Sequence, residues 1–455
     1  MQQQEGKEKG KEEGKEEGKE EANRKDGEQH VDVEVVDLDK KAEEKKNQRK
    51  ALLPFAIISV SYLLYTMTDG SVRMIVLLYA YTKKFTAMEV AVMFTLYETA
   101  GVATNLLAGI AGARWGIKWT LLVGLTLQLM GLGMLFGWQN SWSKTTAIIY
   151  VTIAQMLCGI AKDLTKLAGG KTVTKLVTPE EKQGSLFKLV SYITGWKNSL
   201  KGVGYFIGEK IEEEEGDGVA GVNVFMILCA YPWAIIGLDS NLGTAKTKNV
   251  TLRDALFSGN HNLNWLSFAR LFLFASRDLW FEVPLPFYLR APACSRLGLA
   301  RVTVGAFLAI YIILYGQMQA YTPQLVLRPL KQSPPNKWVE VLWGYINTVP
   351  PLIMAMITLF APEFQNYEYK PVRRRDVIYD DCRVVVFALI FAINSSIHSY
   401  LVVRYAEGNK VATSVGFYYM SNAAGRLMGT LVSGALYSYI DPNDVSKGIG
   451  ACFVA

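Results

Sequence analysis

The chain has 455 residues, of which half are hydrophobic, and its 48 Lys and Arg outnumber its 41 Asp and Glu to give a net charge of +7. This excess does not indicate nucleic-acid binding, because the excess cations lie in short loops beside apolar segments or inside those segments. The five cysteines are widely separated and show no CxxC or other metal-ligand spacing. We therefore expect no metal site and no cofactor, and the cysteine spacing argues against a thiolate site for a soft metal.

The first fifty residues differ in composition from the rest of the chain. Residues 1–50 are rich in Lys and Glu and include the run GKEKGKEEGKEEGKEE, with few apolar side chains. Such a segment cannot bury enough apolar surface to offset the entropy lost on ordering, so it is predicted to be a disordered cytosolic tail. No short apolar region precedes a small-residue cleavage site, so the tail does not have the pattern of a signal peptide.

From Leu52 onward, long apolar segments alternate with short polar links. Stretches of about 20 apolar residues are long enough to cross a bilayer core of roughly 30 Å as helices. The predicted segments are Leu52–Tyr79, Glu89–Ala111, Trp119–Trp138, Thr145–Leu167, Leu186–Gly208, Gly221–Leu238, Leu263–Phe287, Thr303–Tyr321, Val339–Phe360, Val384–Val403 and Val411–Ile440. A twelfth segment begins at Gly448 and is too short to span the bilayer when the chain ends at Ala455.

The order of these segments predicts two halves. Residues 51–238 form an N-terminal half of six helices, residues 239–262 a polar cytosolic linker, and residues 263–455 a C-terminal half whose twelfth helix is incomplete. This all-α, polytopic arrangement resembles the major facilitator fold, in which two six-helix halves surround a central cavity.

Basic residues in the short loops predict the orientation in the membrane. Loops on the side of the N-terminus carry Arg114, Lys118, Lys171 and Lys175, and a cytosolic N-terminus follows from this bias. Arg373–Arg375 lie on the opposite side, together with nearby acidic residues, and weaken the bias. We expect a multi-pass protein of the plasma membrane.

Charged residues inside the apolar segments are the strongest functional signal. A charge near the bilayer centre costs roughly 2.5–3.5 kcal/mol on insertion scales, so such residues usually face a cavity or a partner. Lysines four residues apart share a helix face in the fourth and fifth segments, and two arginines seven apart do so in the seventh. These cationic faces predict a cavity for a polyvalent organic anion. The candidate substrate-binding residues are Lys197, Lys201, Arg277, Arg426, Arg73, Lys162, Asn198 and Arg270.

The same charges can instead pair within the protein. Asp69 and Arg73 stand four residues apart, and Arg277 is followed by Asp278. Lys166 lies close enough to a helix end for its charge to reach the membrane surface. Gly101, Gly109 and Gly112 are spaced for close helix packing.

Export against a gradient requires a source of energy. The sequence lacks the GxxxxGK[ST] signature of nucleotide binding, so proton exchange is the expected source. Asp69, Glu98 and Asp278 are the candidate proton carriers, because a buried carboxylate can titrate near neutral pH.

Two sets of motifs carry a resemblance to known families. Residues Gly109 to Thr120, GIAGARWGIKWT, resemble the loop signature G-x-x-x-D-R-x-G-x-[RK] of major facilitators, although Ala113 replaces the usual Asp. Longer motifs resemble the ArsJ family of organoarsenical efflux transporters: TDGSVRMIVLL (Thr68–Leu78), LYETAGVATNLLAG (Leu96–Gly109), GIAKDLTK (Gly159–Lys166), ITGWKNSLKGVGYFIG (Ile193–Gly208), ARLFLFASRDLWFEVPLP (Ala269–Pro286) and VGFYYMSNAAGRLMGTLVSG (Val415–Gly434).

This resemblance implies export of 1-arseno-3-phosphoglycerate and resistance to arsenate. Glyceraldehyde-3-phosphate dehydrogenase makes that ester when arsenate replaces phosphate, so the resemblance also implies a functional link to that enzyme. The ester has a phosphate at one end and an arsenate at the other, which two separated cationic clusters would suit.

Other functions remain open at this stage. A permease for another phosphorylated or carboxylated metabolite would use the same cations. A membrane-bound sensor or scaffold would have no need of charges inside its helices. An integral-membrane enzyme is disfavoured, because the chain has no HExxH motif, no nucleophile elbow and no His cluster, and His398 is the only His within a predicted span.

Overall fold

The computed structural model describes most of the chain after the N-terminal tail. The described residues are 53–76, 85–137, 139, 141–168, 174–175, 178, 181–210, 217–239, 259–290, 301–360, 374–406, 411–440 and 445–455. The chain divides into two compact units, Met1–Pro54 and Phe55–Ala455. The predicted tail over 1–50 and most of the predicted linker over 239–262 lie outside the described residues.

The described residues of the second unit are almost entirely helical. The first described helix, α1, covers residues 53–76, of which 55–76 belong to this unit. The helices that follow are α2 (Ala87–Trp115), α3 (Ile117–Phe136), α4 (Lys144–Ala168), α5 (Gln183–Lys210), α6 (Asp217–Gly237), α7 (His261–Asp278), α8 (Pro284–Arg290), α9 (Arg301–Thr322), α10 (Lys337–Phe360), α11 (Arg374–Tyr405), α12 (Val411–Tyr439) and α13 (Val445–Val454). A π-helical turn, Pro323–Leu327, continues α9.

The predicted segments agree with these helices except in two places. The seventh segment is wrong as one helix, because α7 ends at Asp278 and α8 begins at Pro284 after a turn. Proline has no amide hydrogen and is favoured in the first turn of a helix, which agrees with the start of α8 at Pro284. The tenth segment was placed too late, since α11 begins at Arg374 rather than at Val384. The first turns of α11 carry charged side chains, so hydropathy does not detect them.

Six helices in the described part of the chain are long and apolar enough to cross a membrane. They are Ala87–Trp115, Ile117–Leu135, Lys144–Leu167, Thr303–Leu327, Lys337–Thr358 and Arg383–Tyr405. The shorter stretch Gly221–Gly237 is also apolar. Helices α1, α5 and α7 are not among the six, and they carry several of the charges that line the cavity described below.

Close helix pairs join the N-terminal and C-terminal parts of the unit. Helix α2 packs along α12, and α5 packs along α9. Glycines allow these approaches. A Cβ atom on Gly109 would lie 3.1 Å from the carbonyl oxygen of Ala412 and 3.3 Å from the Cα of Gly416. Gly101 and Gly112 also face neighbouring helices, which confirms the predicted close packing of α2.

Two apolar layers lie near opposite ends of the helices. One layer, here called the first apolar layer, contains buried residues of α2, α4, α5, α7, α11 and α12: Ala108, Leu167, Phe187, Leu266, Ile397 and Val415. The second apolar layer contains residues near the other ends of several of these helices: Val76, Val90, Phe94, Val151 and Val283. Between these layers in sequence, α2 carries Glu98 and α7 carries Arg270, Arg277 and Asp278.

The α2–α12 contact generates the first prediction. Gly109→Val should destabilise the fold by about 1–3 kcal/mol, because the added methyl groups overpack a helix interface. The matched control is Gly133→Val in α3, since a Cβ atom on Gly133 meets no atom within 4 Å. The thermal midpoint of purified protein in detergent micelles measures the effect. Equal midpoints for the two variants would contradict the packing argument.

Candidate functional site

A polar cavity lies midway along the helices, between the two apolar layers. Its empty volume is about 1020 Å³, including space open to solvent. Helices α1, α2, α4, α5, α7, α9, α11 and α12 line it, together with the turn after α7. Its charged lining residues are Asp69, Glu98, Lys162, Asp163, Lys166, Lys197, Lys201, Arg270, Arg277, Glu282 and Arg426.

Two more charged residues belong to the same cluster. Arg73 lines a smaller neighbouring cavity together with Glu282, and Asp278 is fully buried beside Arg277 and Arg426. With these two included, the cluster has eight basic side chains against five acidic ones. The described site therefore carries an excess of three positive charges.

Arg426 is the centre of a buried ion network. Its guanidinium lies 2.9 Å from a carboxylate oxygen of Glu98, 2.9 Å from Asp278 and 3.6 Å from Glu282. Arg73 joins the same network through ion pairs with Glu98, at 3.5 Å, and with Glu282. The network thus connects α1, α2, α7, α12 and the turn after α7.

Asp278 also has a second basic partner. A guanidinium nitrogen of Arg277 lies 2.5 Å from its carboxylate, and the arginine Nε donates a hydrogen bond of 2.6 Å to the same oxygen. The rings of Phe274, Phe281 and Phe391 surround the Arg277 guanidinium at 4.5–5.9 Å. Pairing between Arg277 and Asp278, which the sequence offered as one alternative, is therefore present.

Two further ion pairs lie in the N-terminal part, one between α5 and α1 and one within α4. The Nζ of Lys201 lies 3.6 Å from Asp69, which also accepts a hydrogen bond of 3.2 Å from the Tyr97 hydroxyl. The Nζ of Lys166 lies 3.2 Å from Asp163 and donates a 2.9 Å hydrogen bond to Asn105. Lys166 is thus held inside the protein, and the alternative that its charge reaches the membrane surface is wrong.

Three cations in the described site have no acidic partner within ion-pair distance among the described residues. They are Lys162, Lys197 and Arg270, and we call them the uncompensated cations. The Nζ of Lys162 lies 3.9 Å from the centre of the Tyr97 ring, which stabilises a cation but carries no net negative charge. Lys197 is partly buried, and Lys166 and Arg270 each repel it more strongly than Asp69 attracts it.

Neutral groups hold Arg270 in place. Its Nε donates to Asn422 at 2.8 Å, and its Nη1 donates to Ser395 at 3.2 Å. Gln319 donates to the same serine hydroxyl at 3.2 Å and accepts a 2.5 Å hydrogen bond from Asn198. The guanidinium also lies 3.8 Å from the Phe274 ring centre. Arg270 is thus buried and oriented by neutral groups, and no carboxylate among the described residues neutralises its positive charge.

Seven of the eight candidate binding residues line the main cavity. Only Arg73 lies in the neighbouring space. Of the three proton candidates, Asp69 and Glu98 line the cavity, whereas Asp278 lies behind its lining. The structure pairs Asp69 with Lys201 and Arg73 with Glu98 and Glu282, so the predicted Asp69–Arg73 pair is replaced by contacts between helices.

Apart from Asn198, sequence reasoning missed most of the neutral part of the lining. Tyr62, Tyr65, Tyr315, Gln319 and Ser395 line the cavity, and the charge pattern gave no indication of them. His398, the lone histidine of a predicted span, lies outside the cavity lining, where its Nε2 is 3.0 Å from Glu340 of α10. The five missed neutral residues lie on α1, α9 and α11, and the charge pattern of α5 and α7 carries no signal for them.

The loop signature has a structural position at the junction of α2 and α3. Gly116 adopts a φ of 87°, a conformation that glycine tolerates better than other residues. Lys118 donates hydrogen bonds of 2.7 and 2.9 Å to the carbonyl oxygens of Ile235 and Leu238 at the end of α6. Ala113, which replaces the usual Asp, is buried.

Comparisons with known proteins identify the fold. Residues 58–208 match the model of the Major Facilitator Superfamily. A crystal structure of a bacterial homologue of the iron transporter ferroportin, in an outward-facing state, is similar with a TM-score of 0.63 and 12% identity, over 88% of this chain and 96% of that one. No curated protein matches the chain.

Two other solved structures are similar over comparable lengths. The E. coli fucose:proton symporter FucP has a TM-score of 0.55 and 10% identity, over 89% of this chain and 97% of that one. The nucleoside transporter NupG has a TM-score of 0.59 and 14% identity, over 88% and 96%. The prediction of a major facilitator fold is therefore confirmed. The family match covers residues 58–208, and the three solved structures, at 10–14% identity, agree with it in fold over most of the chain.

The Arg426 network generates the second prediction. Arg426→Met should destabilise the protein by about 3–5 kcal/mol, because it leaves buried carboxylates without a partner. Glu98→Gln should lower the free energy of unfolding less in the Arg426→Met protein than in the wild type. The difference, which is the coupling energy, should be about 0.5–3 kcal/mol. Thermal unfolding in micelles measures all four proteins.

The exposed pair Lys144–Glu89, with a separation of 2.7 Å, is the matched control for this cycle. Exposed pairs contribute at most about 1 kcal/mol, so Lys144→Met and Glu89→Gln should be nearly additive. Additivity in the Arg426–Glu98 cycle would contradict the network.

Proposed function

We propose that this protein exports an organic anion with two anionic ends, 1-arseno-3-phosphoglycerate, and so confers resistance to arsenate. The observation that carries the proposal is the set of three uncompensated cations in a cavity midway along the helices. A cation in that position costs free energy unless an anion neutralises it, so an anion is the ligand that the cavity stabilises best.

The three cations lie on three different helices around one cavity, and we propose that a ligand with two anionic ends contacts all three. Lys197 and Arg270 precede Lys201 and Arg277 on their helices, on the side of the first apolar layer. Lys162 lies instead over Tyr97, whose hydroxyl donates to Asp69. One anionic group would bind Lys197 and Arg270, and the second would bind Lys162. Arginine can hold a tetrahedral oxyanion with two parallel hydrogen bonds, whereas lysine acts as a point charge.

The cargoes named for the similar structures are chemically diverse. One is a homologue of an iron transporter, another carries fucose with protons, and a third carries nucleosides. The fold accordingly accommodates many substrates, and the side chains of the cavity must define the cargo. The choice of the arsenate ester rests on the charges of this cavity and on the motifs that resemble the ArsJ family.

The proposal also assigns roles to the two halves of the chain and a location in the cell. We propose that residues 51–238 and 263–455 act as the two moving halves, joined by a cytosolic linker over 239–262. The protein would work in the plasma membrane with its N-terminus in the cytosol. Its functional partner would be glyceraldehyde-3-phosphate dehydrogenase, which supplies the ester from arsenate.

Cellular arsenic content provides the third prediction. Arsenic-sensitive cells that express the protein should accumulate less arsenate only when the dehydrogenase is also present, because the dehydrogenase makes the cargo. Lys197→Met should abolish most of this difference, since loss of one charge-assisted contact weakens binding at least about tenfold. Lys144→Met, which removes a lysine outside the cavity, should export like the wild type.

Membrane expression of each variant is measured in the same cells. If the wild type is well expressed and leaves arsenic content unchanged, the arsenical assignment is wrong. Uptake of sugar phosphates and carboxylates would then test the second candidate, a permease for another phosphorylated or carboxylated metabolite, which the same cations would serve.

A further inference from the structure

Every acidic side chain of the described site contacts a cation. Asp69 pairs with Lys201, Asp163 with Lys166, and Asp278 with Arg277 and Arg426. Glu98 and Glu282 share Arg73 and Arg426. No acid is therefore left to neutralise Lys162, Lys197 or Arg270 among the described residues.

The neutral surroundings of these three cations do not remove their charge. Amide, hydroxyl and aromatic groups orient Arg270 and Lys162 but contribute no negative charge. Arg270 is 6% exposed, and its Nη2 has no hydrogen-bond partner among the described residues. A tetrahedral oxyanion beside Arg270 and Lys197 would accept hydrogen bonds from these donors.

The apolar layers on either side of the cavity raise the free energy of the conformational change when no anion is bound. A carrier with this fold must expose its cavity to one side of the membrane and then to the other, and it passes through a state closed on both sides. In that state the first and second apolar layers would enclose the uncompensated charges away from water. An enclosed excess of like charge is far less stable than the same cavity with a bound anion.

We propose that the protein is an obligatory anion exchanger: it returns across the membrane only with an anion in the cavity, and a small tetrahedral oxyanion, such as inorganic phosphate, serves as the counter-substrate. This inference rests on the proposed anion transport and adds its mode. The carboxylates Asp69, Glu98 and Asp278 then act as fixed partners of cations rather than as proton carriers.

Transport by the full chain in proteoliposomes tests the proposal. The probe is external radiolabelled 3-phosphoglycerate, a stable compound that has a phosphate and a second anionic group. Vesicles contain either inorganic phosphate or an impermeant anion, and valinomycin with equal potassium on both sides holds the membrane potential at zero. Uptake into phosphate-loaded vesicles should be at least about tenfold faster, which corresponds to a barrier difference of about 1.4 kcal/mol.

The outcomes separate the two proposals. Equal uptake into both kinds of vesicle would overturn obligatory exchange and leave anion transport standing. Uptake into vesicles without phosphate that an inward proton gradient accelerates would also overturn exchange, in favour of proton coupling. No uptake under any condition, with protein correctly inserted, would overturn anion transport and the exchange mode with it.

Removing one uncompensated charge gives an independent test. Lys197→Met should raise the ratio of net uptake to exchange, because the empty cavity then carries less charge through the closed state. Lys162→Met should raise the same ratio. It replaces Lys197→Met in this test if the Lys197→Met protein is inactive. Lys144→Met lies outside the cavity and should keep the wild-type ratio. An unchanged ratio in active Lys197→Met and Lys162→Met proteins would contradict the charge argument.

Discussion

The constraint on which this structure depends is an excess of three positive charges inside a helical membrane protein. Water is absent from the bilayer core, so every charge there must be paired, oriented by polar groups or neutralised by a ligand. Ion pairs, some within one helix and some between helices, account for five of the eight cations. The remaining three are Lys162, Lys197 and Arg270, and we propose that they give the cavity an affinity for an anion.

Helix packing positions this charge. Two of the helices that contribute most to the ion network, α2 and α7, both pack against the third, α12. Gly425 and Gly429 of α12 meet the backbone carbonyls of Leu271 and Ala275 on α7, so Arg426 lies directly opposite Asp278. Small residues at these contacts shorten the distance between backbones, and the long side chains of Arg426 and Glu98 then reach across the interface.

Much of this arrangement could be predicted from sequence, for identifiable reasons. Apolar segments of membrane-spanning length predicted the helices, and the four-residue spacing of Lys197 and Lys201 predicted that both face one cavity. The pairing of the charges could not be predicted, because the partners of Lys201 and Arg426 come from distant helices, α1 and α2. The break after Asp278 was missed because hydropathy continues through Pro284 without a change.

The central claim is that the uncompensated cations make this cavity an anion site. A binding measurement tests this claim most directly. Isothermal titration of the purified full chain with 3-phosphoglycerate should give one binding site per chain. Lys197→Met should weaken the affinity at least about tenfold, since a charge-assisted contact is lost, whereas Lys144→Met should bind like the wild type. Equal affinities for all three proteins, or no binding to a correctly folded wild type, would contradict the account.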